Sequence, residues 1–343
     1  MEAIILAGGF GTRLRPLTYT RAKALLPILN KPMAAYLIEM LPKEITKIIF
    51  AVNYRKDQIE EYFTKHDYGK EIIINDEPTP LGTGGAVKFA EKHITGRFFV
   101  LNADIITSLK LQEMIDFHIK NHAETTISLW PVENVSEFGV VDIKNNGNVT
   151  KFVEKPKPED APSNLINAGA YLLEPEVLDY IETGRLISME KEIFPQIIQD
   201  TQRFYGYQFK GYWIDVGRIQ SYLDVHRLLM SKYKLQNAKG SHCILKGKLI
   251  NSCIGNTVRI DDHSIVDSSI VFDKTHIGHN TTLKNCVIGE GCRIGDFSTL
   301  KNVVVGDHEQ IQGHTTVENV MVWTQPIPKG YPVKQIGNVL GEK

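Results

Sequence analysis

From residue 254 onward, large aliphatic side chains recur at intervals of six, six and five. They run Ile254, Ile260, Val266, then Val271, Ile277, Leu283, then Ile288, Ile294, Leu300, then Val305, Ile311, Val317, and finally Val322. The period is 17 residues, it holds for four turns, and Leu249 and Cys243 prolong it backwards. Glycine follows the aliphatic residue at Ile254, Ile277, Ile288, Ile294 and Val305. Neither helical nor strand periodicity produces this spacing. A coil with three flat faces does: each face turns one aliphatic inward, and successive coils stack their cores on one another.

The preceding stretch has a different grain. Short apolar runs at residues 2–7, 47–52, 71–74 and 97–101 alternate with helical patterns at 33–40, 57–66 and 85–93. Further strands are expected at 126–131, 139–143 and 168–173, and a bridging helix at 222–235. The alternation predicts an α/β domain with a mostly parallel, Rossmann-like sheet over residues 1–235 and the repeat domain over 236–343. A sheet of this kind binds ligands outside the carboxyl ends of its strands. Residues 323–343 leave the repeat and are expected to cap or drape its last coil.

Composition narrows the partners. The chain has 343 residues with 39 Lys plus Arg against 40 Asp plus Glu, a formal charge of −1. A near-neutral chain lacks the basic face that nucleic acid or an anionic membrane calls for. No run approaches the ~18 apolar residues of a membrane span. Residues 2–7 run straight into glycines with no basic start or cleavage site, so a cytoplasmic protein is expected. The four cysteines, Cys243, Cys253, Cys286 and Cys292, form no C-x-x-C pair and read as buried reduced thiols.

The strongest chemical signal is Gly8-Gly9-Phe10-Gly11-Thr12-Arg13-Leu14-Arg15-Pro16-Leu17, with Lys23 beyond it. Three glycines after a buried strand let backbone N–H groups surround phosphate oxygens. No Gly-Lys-Ser/Thr follows, so the loop is not a Walker A motif. The third glycine of a dinucleotide fingerprint would fall at Leu14, which excludes that reading too. Fixed cations behind a phosphate cradle suit chemistry at phosphorus.

This segment, with Lys23-Ala24-Leu25-Leu26-Pro27 and Lys31-Pro32, resembles the signature of the nucleotide-sugar pyrophosphorylases (sugar-1-phosphate nucleotidyltransferases). Further landmarks follow in order: Pro80-Leu81-Gly82-Thr83-Gly84, Leu101-Asn102-Ala103-Asp104, Phe138-Gly139-Val140-Val141, Phe152-Val153-Glu154-Lys155-Pro156, Asn167-Ala168-Gly169 and Trp213-Ile214-Asp215-Val216-Gly217. The tail resembles the hexapeptide-repeat left-handed β-helix, so the likeness covers nearly the whole chain. It is closest to the members that guanylylate mannose 1-phosphate. One departure is Ala22-Lys23-Ala24, where the family often has Pro-Lys-Pro; the cation is kept.

The resemblance implies a GT-A-like fold and a Mg²⁺-assisted in-line attack of a sugar 1-phosphate, mannose 1-phosphate above all, on the α-phosphate of a nucleoside triphosphate, GTP above all. Asp104 and Asp215 match the metal positions, an acidic oxygen pair suited to Mg²⁺. Arg13 and Lys23 are expected to stabilise the phosphates, and Arg15 is either a third cation or a scaffold residue. Leu6, Gly8, Gly9, Gly11, Thr12, Arg13 and Gly82 are expected to line the nucleotide. Glu77 is expected to accept from the paired N1–H and N2–H₂ donors of guanine. Lys155 matches the lysine that grips the sugar phosphate, while Glu154, Asn167 and the Gly139 backbone would hold the sugar. Glucose 1-phosphate with UTP or dTTP is the nearest alternative. More distant ones are a bifunctional acyltransferase using a tail histidine and a non-catalytic regulatory paralogue. The stacked coils are expected to join copies of the chain into a homo-oligomer.

Overall fold

The computed structural model describes residues 1–332 and the backbone of 339–340, so the expected cap at 323–343 falls partly outside the described residues. Mutual contacts gather the chain into two compact units, Met1–Gly9 with Ala34–Ile214, and Phe10–Met33 with Asp215–Lys343. A cut by chain order at residue 235 does not reproduce this grouping. Residues 10–33 leave the sheet after its first strand, and their aromatic and charged side chains pack on the repeat domain. The helix Ile219–Lys232 joins them there through Tyr222 against Phe272 and Arg227 against Asn285.

The first unit is built on a nine-stranded sheet. Its strands are β1 (Glu2–Leu6), β2 (Lys47–Val52), β3 (Glu71–Asp76), β4 (Phe98–Asn102), β5 (Thr125–Pro131), β6 (Gly139–Ile143), β7 (Val149–Glu154), β8 (Leu165–Leu173) and β9 (Phe204–Gln208). The order is β7-β6-β8-β4-β1-β2-β3, with β5 on β8 and β9 on β5. The four strands β3, β2, β1 and β4 run parallel, and β8 meets β4 antiparallel. Continuous apolar runs such as Ala3-Ile4-Ile5 and Phe98-Phe99-Val100 are fully buried, as expected of parallel strands covered on both faces. The core continues through Val87, Tyr171, Leu173, Met189 and Phe194.

In the second unit the 17-residue period becomes register. Leu249, Val266, Leu283, Leu300 and Val317 stack in one column of paired parallel strands. Ile260, Ile277, Ile294 and Ile311 form a second column, and Ile254, Val271, Ile288, Val305 and Val322 a third. The third stack gains one more strand at Val339–Leu340, paired with Met321–Val322. This is the parallel β-helix the spacing predicts. Three of the cysteines are buried in it and burial raises their thiols, Cys286 to about 11 and Cys253 and Cys292 to about 12. Cys243, expected to be buried, is only half-buried, because it lies on the first coil.

Candidate active site

In the first unit, β1 and β4 end side by side. Leu6 pairs with Asn102, and the Ala103 amide donates to the Leu6 carbonyl at 3.2 Å, so Gly8 and Asp104 leave adjacent strands at the same sheet edge. On the other flank of β1, a Cβ on Gly8 would lie 3.5 Å from the Asn53 amide nitrogen, an ordinary contact. The Asn53 side chain donates in turn to the Glu77 carbonyl at 3.0 Å. Leu6, Gly8 and Glu77 are thereby brought together. Glu77 is buried, its Oε2 accepts from the Leu81 amide at 3.2 Å, and burial pushes its carboxyl above the usual range. It therefore also organises the turn into the helix Gly82–Phe89. Gly82 has φ 73°, and a Cβ there would lie 2.5 Å from the Ile187 carbonyl oxygen, so only glycine fits. Gly9 has open space where a side chain would begin.

The residues expected at the sugar also converge. Gly139 stands opposite Glu154 across β6 and β7, and a Cβ on it would lie 2.9 Å from Glu154 Oε2. Burial raises the Glu154 carboxyl against the lowering pull of Lys155, whose Nζ lies 3.5 Å from Glu154 Oε1. Lys155 adopts φ 49°, an unusual backbone for a side-chain-bearing residue, held by its amide donating to the Phe138 carbonyl at 2.9 Å. Asn167 donates to the Tyr171 hydroxyl at 2.9 Å and accepts from the Gly169 amide at 3.0 Å. A Cβ on Gly169 would press on Asn102 Nδ2 at 2.8 Å, which sets these residues beside the end of β4.

Sequence reasoning missed the carboxylate that closes the network. Glu190 accepts from the Tyr171 hydroxyl at 3.0 Å, from Thr83 Oγ1 at 2.7 Å and from Ser188 Oγ at 2.8 Å. It lies in the π-helical turn Met189–Ile193, whose amide at Lys191 is capped by Ser188. The serine before an acidic run signals a helix start, but nothing in the sequence signals that Glu190 faces Tyr171. On the same flank, Trp213 Nε1 donates to the Ala168 carbonyl at 2.9 Å, two residues before Asp215.

The second unit holds Gly11, Thr12, Arg13, Lys23 and Asp215. Gly11 has φ 65°, and a Cβ there would meet Thr18 Cγ2 at 2.8 Å and the Lys23 stem at 3.3 Å. Lys23 therefore lies against the glycine loop. A Cβ on Gly217 would lie 2.9 Å from Arg13 Nη2 and 3.0 Å from Asp215 Oδ1, so the guanidinium and the carboxylate both flank this glycine. Arg15 is a scaffold residue: it is buried, and its Nε donates to the Thr12 carbonyl at 3.1 Å. Among the described residues no three His, Cys, Asp or Glu side chains gather into a metal cage. The donor set that remains, one or two aspartate carboxylates completed by substrate oxygens, is the kind Mg²⁺ takes. Of the tail histidines, His276 Nε2 lies 2.7 Å from Asp261 Oδ2, and His314 stacks on Phe297. No helix among the described residues is long and apolar enough to cross a membrane.

A sequence profile of the family described as nucleotidyl transferase matches residues 2–232, and one described as GMPPB C-terminal domain matches residues 240–328. Mannose-1-phosphate guanyltransferase of Saccharomyces cerevisiae is 42% identical over 231 residues, covering 65% of this chain and 63% of that protein. Probable mannose-1-phosphate guanylyltransferase 2 of Oryza sativa subsp. japonica is 36% identical over 314 residues, covering 84% of this chain and 86% of that protein. Thus the chain spans a little under two thirds of the yeast relative's length and most of the rice relative's. Among solved structures, HddC from Yersinia pseudotuberculosis complexed with GMP-PN superposes with a TM-score of 0.56 at 28% identity, over 66% of this chain and 99% of that one. A UDP-glucose pyrophosphorylase complexed with UDP-glucose gives 0.60 at 25% identity, over 67% and 98%. The chain belongs to the nucleotidyl transferase family of enzymes.

Proposed function

We propose that the protein joins mannose 1-phosphate to GTP, giving GDP-mannose and pyrophosphate. A phosphate oxygen of the sugar phosphate forms the new bond to the α-phosphorus while the bond from that phosphorus to the bridging oxygen of pyrophosphate breaks. Two anions must meet, so the work of the site is neutralising charge and aligning the attack. The observation that carries this reading is the pairing of Leu6 with Asn102, which sets the start of the glycine loop beside Asp104 at one sheet edge. The mannose and guanine assignment rests on the 314-residue match to a guanylyltransferase.

Arg13 offers a planar, permanently charged fork to the α-phosphate and the departing pyrophosphate, with Lys23 as a point charge beside it. The amides from Gly8 to Arg13 complete the cradle, with Leu6 and Gly82 lining the nucleoside. Lys155 grips the sugar phosphate, and Glu154 with Asn167 accepts and donates to sugar hydroxyls beside Gly139. The buried Glu77 carboxylate favours guanine, whose adjacent donors it accepts as a pair. Asp104 and Asp215 would hold Mg²⁺, which supplies Lewis-acid polarisation of the α-phosphate when bound. The β-helix is the surface through which copies of the chain associate; its exposed Ile244, Ile265 and Phe297 support that reading, and a monomer by light scattering would refute it.

The test is pyrophosphate release with Mg²⁺ across four nucleoside triphosphates and three sugar 1-phosphates. Turnover is expected with GTP and mannose 1-phosphate. Activity confined to dTTP or UTP with glucose 1-phosphate would overturn the substrate assignment and leave the reaction class in place.

A further inference from the structure

The glycine loop is held from behind by the end of the β-helix. Residues 18–21 dock along the flank of the second to fourth coils: Thr20 Oγ1 donates to buried Asp307 at 2.5 Å, and Arg21 donates to Glu290 at 2.9 Å over the Phe272 ring. Tyr19 is fully buried, its ring 5.1 Å from that of Trp323 and 4.8 Å from that of Tyr331. Three polar side chains of this buttress reach the carbonyls of the loop. Arg15, which also donates to the Tyr19 hydroxyl at 3.3 Å, holds the Thr12 carbonyl. Thr18 Oγ1 donates to the Gly11 carbonyl at 2.9 Å. The Tyr331 hydroxyl lies 2.9 Å from Thr18 Oγ1, where either oxygen can be the donor, and donates to the Phe10 carbonyl at 3.3 Å.

A trans peptide is planar, and its N–H points opposite to its C=O. Fixing the Gly11 and Thr12 carbonyls toward the buttress therefore aims the Thr12 and Arg13 amides the other way, toward an anion. We infer that Tyr331, Thr18 and Arg15 are positioning residues that set the phosphate-binding amides before substrate arrives, so that the segment following the β-helix takes part in catalysis through the loop it braces. Preorganised donors of this kind need no rearrangement as charge develops. The inference rests on the proposed phosphoryl-transfer reading and adds the Tyr331–Thr18 relay to it.

Two isosteric changes test it. Tyr331→Phe and Thr18→Val each remove one hydroxyl and keep the packing, and Thr18→Ser restores the hydroxyl. Inorganic pyrophosphate is titrated calorimetrically into the full-length protein with Mg²⁺, beside steady-state kinetics and thermal unfolding. Each hydroxyl deletion is expected to weaken pyrophosphate binding by about tenfold, the scale of one hydrogen bond, and to lower kcat with KM for mannose 1-phosphate unchanged. Thr18→Ser is expected to bind as wild type, and the double variant to lose less than the sum of the singles. Variants that bind pyrophosphate as wild type does, whatever their melting temperature, overturn the relay. A wild-type protein that binds pyrophosphate yet turns over no nucleotide with any sugar phosphate overturns the functional reading, and the titrations still decide the relay. Should Tyr331→Phe not fold, the Thr18→Val and Thr18→Ser pair decides alone.

Discussion

Replacing Gly139 by alanine separates a role in holding the sugar from a role in the fold. A methyl group at this position would lie 2.4 Å from Phe152 Cζ and 2.9 Å from Glu154 Oε2. The Phe152 ring is buried against Phe194 and cannot swing into solvent, so part of the strain must be relieved by moving the Glu154 carboxylate. Losing one hydrogen bond from a charged group to the sugar costs about 1.5–3 kcal/mol, which is roughly ten- to hundredfold in KM for the sugar phosphate. Overpacking adds about 1–3 kcal/mol of destabilisation, a fall of several degrees in melting temperature. The assay is pyrophosphate release with each substrate varied in turn at saturating levels of the other. KM for mannose 1-phosphate is expected to rise, and KM for GTP to stay within about twofold. A folded variant in which neither KM moves, or both rise together, would refute the placement of Glu154 at the sugar.

Four further outcomes are expected elsewhere in the molecule. Glu77→Gln is expected to cut the preference for GTP over UTP by about tenfold, since one mismatched buried donor costs ~1–3 kcal/mol; unchanged competition between the two nucleotides counts against the carboxylate. Burial holds that carboxyl above its usual range, so the preference of the wild type should also fade as the pH is lowered through the raised value. His118 is buried between Thr126 and Glu174, and burial depresses it to about 4. A folded value below the unfolded one near 6.5 means stability is intact above the unfolded value. It drains away as pH falls toward 4, by up to about 3 kcal/mol; urea midpoints that stay flat over this range would disprove it. Cys292 donates to the Gly306 carbonyl at 3.0 Å inside the β-helix, so Cys292→Ser should unfold within about 1 kcal/mol of wild type, while Cys292→Val leaves that carbonyl unsatisfied and loses about 1–3 kcal/mol. Equal unfolding free energies for the two variants would remove the thiol from that role.

What the sequence carried, and what it withheld, divides along separation in the chain. The β-helix was legible because each inward residue pairs with the one 17 positions away, so its register is written directly in the spacing of Ile254, Val271 and Ile288. The glycine loop and the Glu154-Lys155 pair were legible because each motif is local. Arg15 stayed open between cation and scaffold because its answer lies in Thr12 and a buried tyrosine, and the contact that completes the buttress, Thr18 with Tyr331, spans 313 residues. Glu77 was expected to contact the base, but its acceptance from Leu81 was not read, since either role asks for the same carboxylate five residues before a helix. Glu190 was invisible for a related reason: Thr83 and Tyr171 reach it from two other elements.

The β-helix carries a second period beneath the aliphatic one, and it explains why cysteines stand where they do. Ser264, Thr275 and Thr281 each donate a side-chain hydrogen bond to the carbonyl 14 positions ahead, at Gly278, Gly289 and Gly295. Cys286 and Cys292 do the same to Leu300 and Gly306 at 3.3 and 3.0 Å. The amide 17 residues on returns the contact, as when the Thr281 amide donates to Ser264 Oγ and the Cys292 amide to Thr275 Oγ1. A corner buried inside the coil exposes backbone groups that the strand columns cannot pair, and each needs a small side chain with one proton to give. Thiol and hydroxyl both meet that requirement, which is why the cysteines alternate with Ser and Thr at the 17-residue spacing. Burial then keeps the thiols protonated and unreactive. One of these corners, at Cys292 and Gly306, packs against Pro16 and Trp323, with a Cβ on Gly306 lying 2.4 Å from the Trp323 ring and 3.2 Å from Pro16 Cβ, so the regular coil presents a fixed surface to the segment that follows the glycine loop.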